Sequence, residues 1–452
     1  MAVEVPGLGH HITDVVQSES GKPGVEAAME APMSADALHY WARNAEAFLA
    51  DSHPKAHNLL TRTKRLTTVH RPYPLVGVIT PWNFPFVMPA VDVLPVLAAG
   101  ASVLLKPSEV TPLSAVEFVR GWTEIGAPPV LAVATGEGGT GAAVLANVDF
   151  VQFTGSTATG RKVAMACAER LIPYSLELGG KDPAIVLADA DLERAANGIA
   201  WGGMFNAGQA CISVERVYVE APVYDEFLEK LTEKVSQLRE GHDDRRCRYD
   251  VGAMATTAQR DIVQGHVDDA VAAGARVTTG GKPTGVGTFY KPTVLADVDQ
   301  SMACMTAETF GPTIPVVRVA DEDEAIRLAN DSSYGLSGSV WTRDVKRGEQ
   351  VARRIETGSV NVNDVMSAAF SFALPFGGWK NSGVGSRNGG ADGMLKYCRP
   401  QAITARRIPT QSREVLWYPY SRGKTRFAMG VVRAAAAHGL RRVGLKPRGG
   451  AR

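Results

Sequence analysis

The stretch "VDFVQFTGSTATGRKVAMACAERL", residues 148–171, changes its period in the middle. Up to Gly155 it is dense in β-branched and aromatic side chains and reads as a buried strand. From Ser156 onward apolar residues recur at helical spacing, so the strand turns on a glycine into a helix. The same alternation extends outward in both directions. Upstream, "LVGVITP" (75–81) and "ASVLLKP" (101–107) are short β-rich runs, "PLSAVEFVRGWTEIGA" (112–127) has helical spacing and "VLAVATG" (130–136) is a strand. Downstream, "PAIVLAD" (183–189), helical "LERAANGIAWGG" (192–203), the strand "VERVYVE" (214–220) and helical "VYDEFLEKLTEKVSQL" (223–238) form a second series, and further elements run on to about residue 380. Strands and helices in turn predict an α/β fold of βαβ units around parallel sheet. Ahead of the first series, "LLTRTKRLTTVHRP" (59–72) alternates polar and apolar residues without a helix signal and predicts a two-stranded ribbon outside the main sheet.

With 452 residues the chain has room for about three average domains or two large ones. Hydrophobic residues make up 45% and charged residues 21%, a globular composition. No apolar run reaches the roughly 18 residues of a membrane span, and the N-terminus "MAVEVPGLGHH" lacks the basic and apolar regions of an export signal. Five scattered cysteines, Cys167, Cys211, Cys247, Cys304 and Cys398, show no CxxC spacing, which favours the reducing cytoplasm and argues against structural zinc. No HExxH or similar histidine constellation occurs, so no metal is expected. Net charge is +1 but uneven: from Arg422 to Arg452 there are nine Lys or Arg and no acid, against 39 basic and 47 acidic residues before it. Such a tail could touch an acidic partner or an anionic membrane surface, although a solvated helical extension with a mostly alanine apolar face is the simpler reading. No nucleic-acid partner is expected.

Several turns carry residues suited to chemistry, each with an ordinary structural alternative. "FTGSTATG" puts Gly155 and Ser156 between strand and helix, where backbone N–H groups and the helix dipole can hold a phosphate, or where a glycine merely turns the chain. In "LLKPSE", Lys106 and Glu109 follow a strand at the end where α/β folds bind ligands, and either contact ribose hydroxyls or form an exposed charge pair. "PWNFPF" (81–86) holds Asn83 between aromatics and stiffening prolines, as an oxyanion donor or as loop packing. Glu177 in "SLELGGKDP" is a general base or a paired structural carboxylate. "AETFGP" adds Glu308 beside Phe310, and "FNAGQACI" places Cys211 after a small polar turn. A lone free cysteine is more often buried and inert than reactive.

Taken together, "TPWNFPF", "LLKPSE", "FTGSTATG", "LELGGK", "FNAGQACI", "ETFGP" and "PFGGWKNSG" resemble the aldehyde dehydrogenase superfamily in order and spacing, including 34 residues from Glu177 to Cys211. The resemblance covers about residues 12 to 405. It implies a Rossmann-like cofactor domain (1–53 with 74–178), an α/β catalytic domain (179–380), a bridging β-ribbon (54–73 with 396–410) that builds a homodimer or homotetramer, and a basic extension (411–452). It also implies roles. Cys211 is the nucleophile, Asn83 and the Cys211 backbone N–H hold the oxyanion, and Glu177 activates the hydrolytic water. For NAD, with NADP the alternative, Lys106 and Glu109 would hold the adenosine ribose, Ser156 the pyrophosphate, and Glu308 the nicotinamide ribose, with Phe310 nearby. Trp82 would line the cofactor passage, and Thr80, Pro81, Ser108, Gly155, Gly160 and Leu178 complete the cofactor-binding set. The activity implied is oxidation of a small-molecule aldehyde to the acid.

Departures from the family are informative. Family members usually carry a longer segment before the helix that here reads "ITDVVQSESGKPGVEA" (12–27), which predicts a cofactor domain lacking an edge hairpin and helix. Ala101 stands where asparagine is common, and "REVLWYPYSRGKTRF" (413–427) runs past the usual end. Parts of the chain look like a bacterial branch labelled succinate-semialdehyde dehydrogenase. Yet "FPFVMPAVDVLP" (84–95) has one acid and none of the arginine that carboxylate-binding members place there, which favours an uncharged aliphatic or aromatic aldehyde. The competing readings are a CoA-acylating dehydrogenase, which would typically lack the Glu177 base, and a catalytically disabled relative, which would have lost motif residues.

Overall fold

The computed structural model describes residues 8–57, 61–242, 248–407, 412 and 417–436; Cys247 lies outside them. The chain divides into two compact units, Met1–Ala45 with Tyr73–Tyr397 and Glu46–Pro72 with Cys398–Arg452. In the smaller unit β1 (Lys64–Pro72) pairs antiparallel with β17 (Cys398–Arg406), in register from Lys64 opposite Arg406 to Pro72 opposite Cys398. This is the ribbon that polar and apolar alternation predicts. It forms a sheet of its own.

The larger unit holds two open sheets and a two-stranded pair, β12 (Tyr334–Gly335) with β15 (Trp379–Lys380). The first contains β2 (Leu75–Ile79), β3 (Ser102–Lys106), β4 (Leu131–Val133), β5 (Phe150–Thr154), β6 (Tyr174–Glu177) and β16 (Gly383–Val384), in the order β16-β6-β5-β2-β3-β4. Strands β2 to β6 run parallel and β16 joins antiparallel. From β2 the chain winds outward one way through β3 and β4, then returns to β5 on the other side of β2. That reversal is a topological switch point, where α/β sheets open a ligand crevice at their carboxyl ends. All five residues of β5 are buried, as a strand covered on both faces by crossover helices requires.

The second sheet comprises β7 (Asp182–Val186), β8 (Val214–Glu220), β9 (Arg276–Thr279), β10 (Thr293–Ala296), β11 (Thr313–Val319), β13 (Ser339–Trp341) and β14 (Asn361–Val362), in the order β14-β13-β7-β8-β11-β10-β9. Its core packs Ile185, Leu187, Ile199, Val217, Tyr218, Phe227, Leu231, Val316 and Val340.

Some helices start on side-chain caps. Helix α6 (Thr157–Glu169) starts at Ser156, whose Oγ accepts the Thr159 N–H at 3.3 Å. Helix α7 (Leu192–Met204) starts at Asp191, which accepts the Arg194 N–H at 3.1 Å. At the N-terminus α1 (Leu8–Ser20) and α2 (Gly24–Leu49) form a hairpin whose turn carries Lys22. Helix α3 (Val87–Ala98) follows β2, and Glu30 of α2 accepts the Phe86 and Val87 N–H groups, both at 2.9 Å. A carboxylate on a helix N-terminus satisfies free N–H groups and opposes the helix dipole. In this way α2 is tied to the start of α3.

Candidate active site

The first sheet delivers its carboxyl ends to the site. Thr80, Pro81, Trp82 and Asn83 follow β2, Lys106 ends β3, Gly155 and Ser156 follow β5, and Glu177 ends β6. The second sheet delivers its amino ends, Cys211 just before β8 and Glu308 to Pro312 just before β11. Between them lies a cavity of about 730 Å³ whose wall includes Trp82, Asn83, Gly155, Ser156, Leu178, Cys211, Glu308 and Phe310.

Close approaches explain the glycines of "LELGGK" and "FNAGQAC". A Cβ on Gly180 would lie 2.2 Å from the Cys211 carbonyl oxygen, so only glycine lets this turn touch the cysteine backbone. On Gly179 it would meet the Glu308 carboxylate at 2.3 Å, and Glu308 Oε1 accepts the Gly180 N–H at 2.9 Å. Before the cysteine, Asn206, Ala207 and Gly208 are all left-handed, with φ of 53°, 54° and 70°. A Cβ on Gly208 would stand 2.1 Å from the Gly311 carbonyl. Three motifs remote in sequence therefore meet backbone to backbone.

Amide side chains join the fourth. Asn83 Nδ2 donates to the Gln209 carbonyl at 2.9 Å, Asn206 Nδ2 donates to the Asn83 carbonyl at 2.9 Å, and Gln209 Nε2 donates to the Asn206 carbonyl at 2.9 Å. Lys22 Nζ adds a bond to the Asn83 carbonyl at 2.9 Å while paired to Glu30 at 2.6 Å. Asn83 has two amide protons, and Gln209 takes one of them. Its position is fixed by three hydrogen bonds from two segments, the 206–209 turn and Lys22.

Glu177 is 2% exposed, its two carboxyl oxygens have no hydrogen-bond partner among the described residues, and it is not itself among the residues lining the cavity. Burial pushes its pKa up to about 8, against the opposing pull of Arg387 and Lys396 and with a smaller push from Asp92. Arg387 donates to both Asp92 oxygens, at 2.7 and 3.2 Å, and to the Thr154 hydroxyl. Burial opposes its charge, but Asp92 and Glu177 outweigh that and raise its pKa. Lys396 spends its protons on Gln152 at 2.9 Å, Ser175 at 3.3 Å and the Ser386 carbonyl at 2.7 Å, and burial lowers its pKa to about 8. The thiol of Cys211 is raised to about 12 by burial, countered by Arg387 and reinforced by Asp182, Glu308 and Glu177.

At the end of β3 Lys106, 5% exposed, pairs with Glu109 at 3.2 Å; neither is among the residues lining the cavity. Glu109 is held below its ordinary pKa by its own backbone N–H and by Lys106. Val110 N–H donates to Ser108 Oγ at 3.2 Å. A Cβ on Gly160 would meet Leu178 at 2.5 Å, so this glycine lets α6 lie against the end of β6. The Trp82 and Phe310 rings meet edge to face at 5.3 Å. Phe310 takes φ of 52° because Glu215 accepts both its N–H and that of Thr309, each at 2.8 Å, while pairing with buried Lys181 at 2.6 Å. Lys106 as donor and Glu109 as acceptor suit ribose hydroxyls, and the free N–H groups at the start of α6 suit a phosphate.

Sequence reasoning passed over Glu215, Lys181, Asp92, Arg387, Lys396 and the amides Asn206 and Gln209. One signal was available for Glu215 and Arg216: charges inside a strand whose seven residues are all buried. The remaining wall of the cavity comes from α2, with Glu26, Met29, Glu30, Met33 and Asp36, and from Phe84, Val87, Met88, Phe205, Met366, Phe370, Phe372 and Phe376. Among these described lining residues Arg387 is the sole Lys or Arg. Glu26 accepts the Asn206 N–H through both oxygens, at 3.2 and 3.1 Å, and burial raises its pKa to about 7.

Comparison with known proteins agrees with this architecture. The model of the aldehyde dehydrogenase family matches residues 9–403. A Mycolicibacterium smegmatis protein provisionally named succinate-semialdehyde dehydrogenase (NADP+) is 42% identical over 404 residues, spanning 88% of this chain and 77% of its own. The 4,4'-diapolycopene aldehyde oxidase of a Methylomonas species is 43% identical over 355 residues, 78% of this chain and 65% of that protein. Among solved structures, a Mycobacterium tuberculosis aldehyde dehydrogenase complexed with NAD+ superposes with a TM-score of 0.84 at 34% identity, covering 89% of this chain and 83% of that one. On the matched family model, the fold and these similarities, the chain belongs to the aldehyde dehydrogenase family.

Proposed function

We propose that the protein oxidises an uncharged, apolar aldehyde to its carboxylic acid with NAD(P)+, through a thioester on Cys211. The observation that carries this reading is the backbone contact of the "LELGG" turn with Cys211, in a cavity whose wall is methionine and phenylalanine rich and bears acids but one already paired cation. In the proposed sequence the Cys211 thiol gives up its proton to solvent and Sγ bonds to the aldehyde carbon, the carbonyl π pair moving onto oxygen. The oxyanion takes a hydrogen bond from the second Asn83 amide proton and from the Cys211 N–H. NAD(P)+, held by Lys106, Ser108, Glu109, Gly155, Ser156, Gly160, Glu308 and Phe310 beside Thr80, Pro81, Trp82 and Leu178, would supply the hydride acceptor. Glu177 then removes a proton from water, whose oxygen attacks the acyl carbon. The C–S bond breaks and returns its electron pair to Cys211.

Substrate class follows from charge. A buried carboxylate needs a cation, and Arg387 is committed to Asp92 and Thr154. Asp36 on the same wall would repel an anion further. The names of the two relatives point to different aldehydes, 4,4'-diapolycopene aldehyde for the Methylomonas protein and succinate semialdehyde for the mycolicibacterial one, so the charge of the cavity decides between them. The test is NAD(P)H formation with aliphatic, aromatic and carboxylate-bearing aldehydes and both cofactors. Uncharged substrates should exceed succinate semialdehyde in kcat/KM by about 10- to 100-fold, the cost of leaving one buried charge poorly paired. NAD should be preferred, because the ionised Glu109 accepts from a free ribose 2′-OH. A higher kcat/KM for succinate semialdehyde would overturn the substrate reading.

A further inference from the structure

The segment beyond the ribbon takes no part in the proposed reaction. Trp417, Tyr418 and Tyr420 are exposed there, the Tyr418 and Tyr420 rings 4.6 Å apart, immediately before the helix Arg422–Ala436. Ser421 starts that helix, its carbonyl accepting the Thr425 N–H at 2.8 Å and its hydroxyl the Lys424 N–H at 3.3 Å. At about 3.6 residues per turn, Arg422, Arg426 and Arg433 fall in one narrow arc and Phe427, Ala428, Val431 and Ala434 on the opposite side. The apolar face is thus more than alanine, and Phe427 is 61% exposed. Lys424 emerges on that side, but its Nζ reaches back to the Pro419 carbonyl at 3.4 Å, as a snorkelling lysine does.

Charge selects the partner. The helix and the residues after it carry nine Lys or Arg and no acid. A second copy packed on the apolar face would leave the arginines, on the opposite side, and the exposed aromatics without a partner. A folded acidic partner would answer the charge but gives no reason for three exposed aromatics ahead of the helix. An anionic bilayer answers all three features: aromatics at headgroup depth, the apolar face at the acyl boundary and cations toward phosphate. No described helix is long and apolar enough to cross a membrane, and this one is about 22 Å long, so it would lie in the plane. We propose that Trp417, Tyr418, Tyr420 and the helix Arg422–Ala436 dock the enzyme on the surface of an anionic phospholipid bilayer. The proposal stands apart from the substrate reading.

The test is co-sedimentation of the full chain with phosphatidylcholine vesicles that contain or lack phosphatidylglycerol. Binding to the anionic vesicles alone, weakening with added salt, is expected. The triple variant Arg422→Gln, Arg426→Gln, Arg433→Gln should partition about 10²-fold more weakly, from three charges lost near the surface. Phe427→Ser should weaken binding and leave its salt dependence unchanged. Both variants should retain turnover of a water-soluble aldehyde. Equal binding to neutral and anionic vesicles, no binding to either, or undiminished binding by the triple variant would overturn the proposal. So would sedimentation velocity showing that Phe427→Ser splits an oligomer, since the face would then be a contact between copies.

Discussion

Replacing Gly180 by alanine tests whether the glycine turn positions the cysteine. The added Cβ would lie 2.2 Å from the Cys211 carbonyl oxygen and 2.7 Å from Asp182 Oδ1, where ordinary contact begins at 3.4 Å. Relief therefore requires a shift of at least about 1 Å between the two segments, comparable to misplacements that cost about 10²-fold in rate. The Cys211 carbonyl belongs to backbone fixed by the Asn83, Asn206 and Gln209 amides, so the strain cannot be absorbed by a side chain swinging away. Overpacking of this kind costs about 1 to 3 kcal/mol of stability, which leaves a folded protein to assay. Gly180→Ala should lower kcat by about 10²-fold, with a modest fall in melting temperature and little change in cofactor affinity. Wild-type kcat in a folded Gly180→Ala protein would refute the positioning argument.

Further outcomes follow from the same geometry. Asn83→Ala should lower kcat by about 10² to 10³ with little change in aldehyde binding, since one oxyanion donor is lost; pre-steady-state and steady-state NADH formation separate the two. Glu177, raised from 4.5 to about 8, favours the folded state when protonated, so its contribution is full below the ordinary carboxylate range and is lost as pH rises toward 8. Melting temperatures of Glu177→Gln should therefore exceed those of the wild type increasingly across that window, and level off above it. Arg387→Met should cost about 3 to 5 kcal/mol in denaturant unfolding by stranding buried Asp92, and pairing it with Asp92→Leu should recover much of the loss.

The fold was legible because parallel strands covered on both faces are short apolar runs, and "FVQFT" and "LVGVI" are such runs bounded by glycine or proline. The turns that carry Asn83, Lys106, Ser156 and Glu177 were legible for a related reason: each follows a strand at the end where α/β sheets bind ligands. The ion pairs were not. Arg387 meets Asp92 across 295 residues of sequence, and nothing local to either residue specifies the other. The absence of an arginine near Asn83 was correctly read, but the cavity has one, delivered by a distant segment and already neutralised. Likewise the periodicity of α2 could indicate a helix, but Glu26, Met29 and Met33 as cavity wall became visible only once Glu30 was seen fixed on the start of α3.

The division of work between Cys211 and Glu177 is the centre of the proposed mechanism. It is tested most directly by rapid mixing of Glu177→Gln enzyme with aldehyde and NAD, followed by mass spectrometry of the Cys211 peptide. The variant keeps the thiol, the Asn83 amide and the cofactor residues and lacks only the base. The prediction is a burst approaching one NADH per active site, then a slow steady state, with an acyl adduct on Cys211. Wild-type turnover without a burst, or an adduct on Cys167, Cys304 or Cys398 instead, would contradict it.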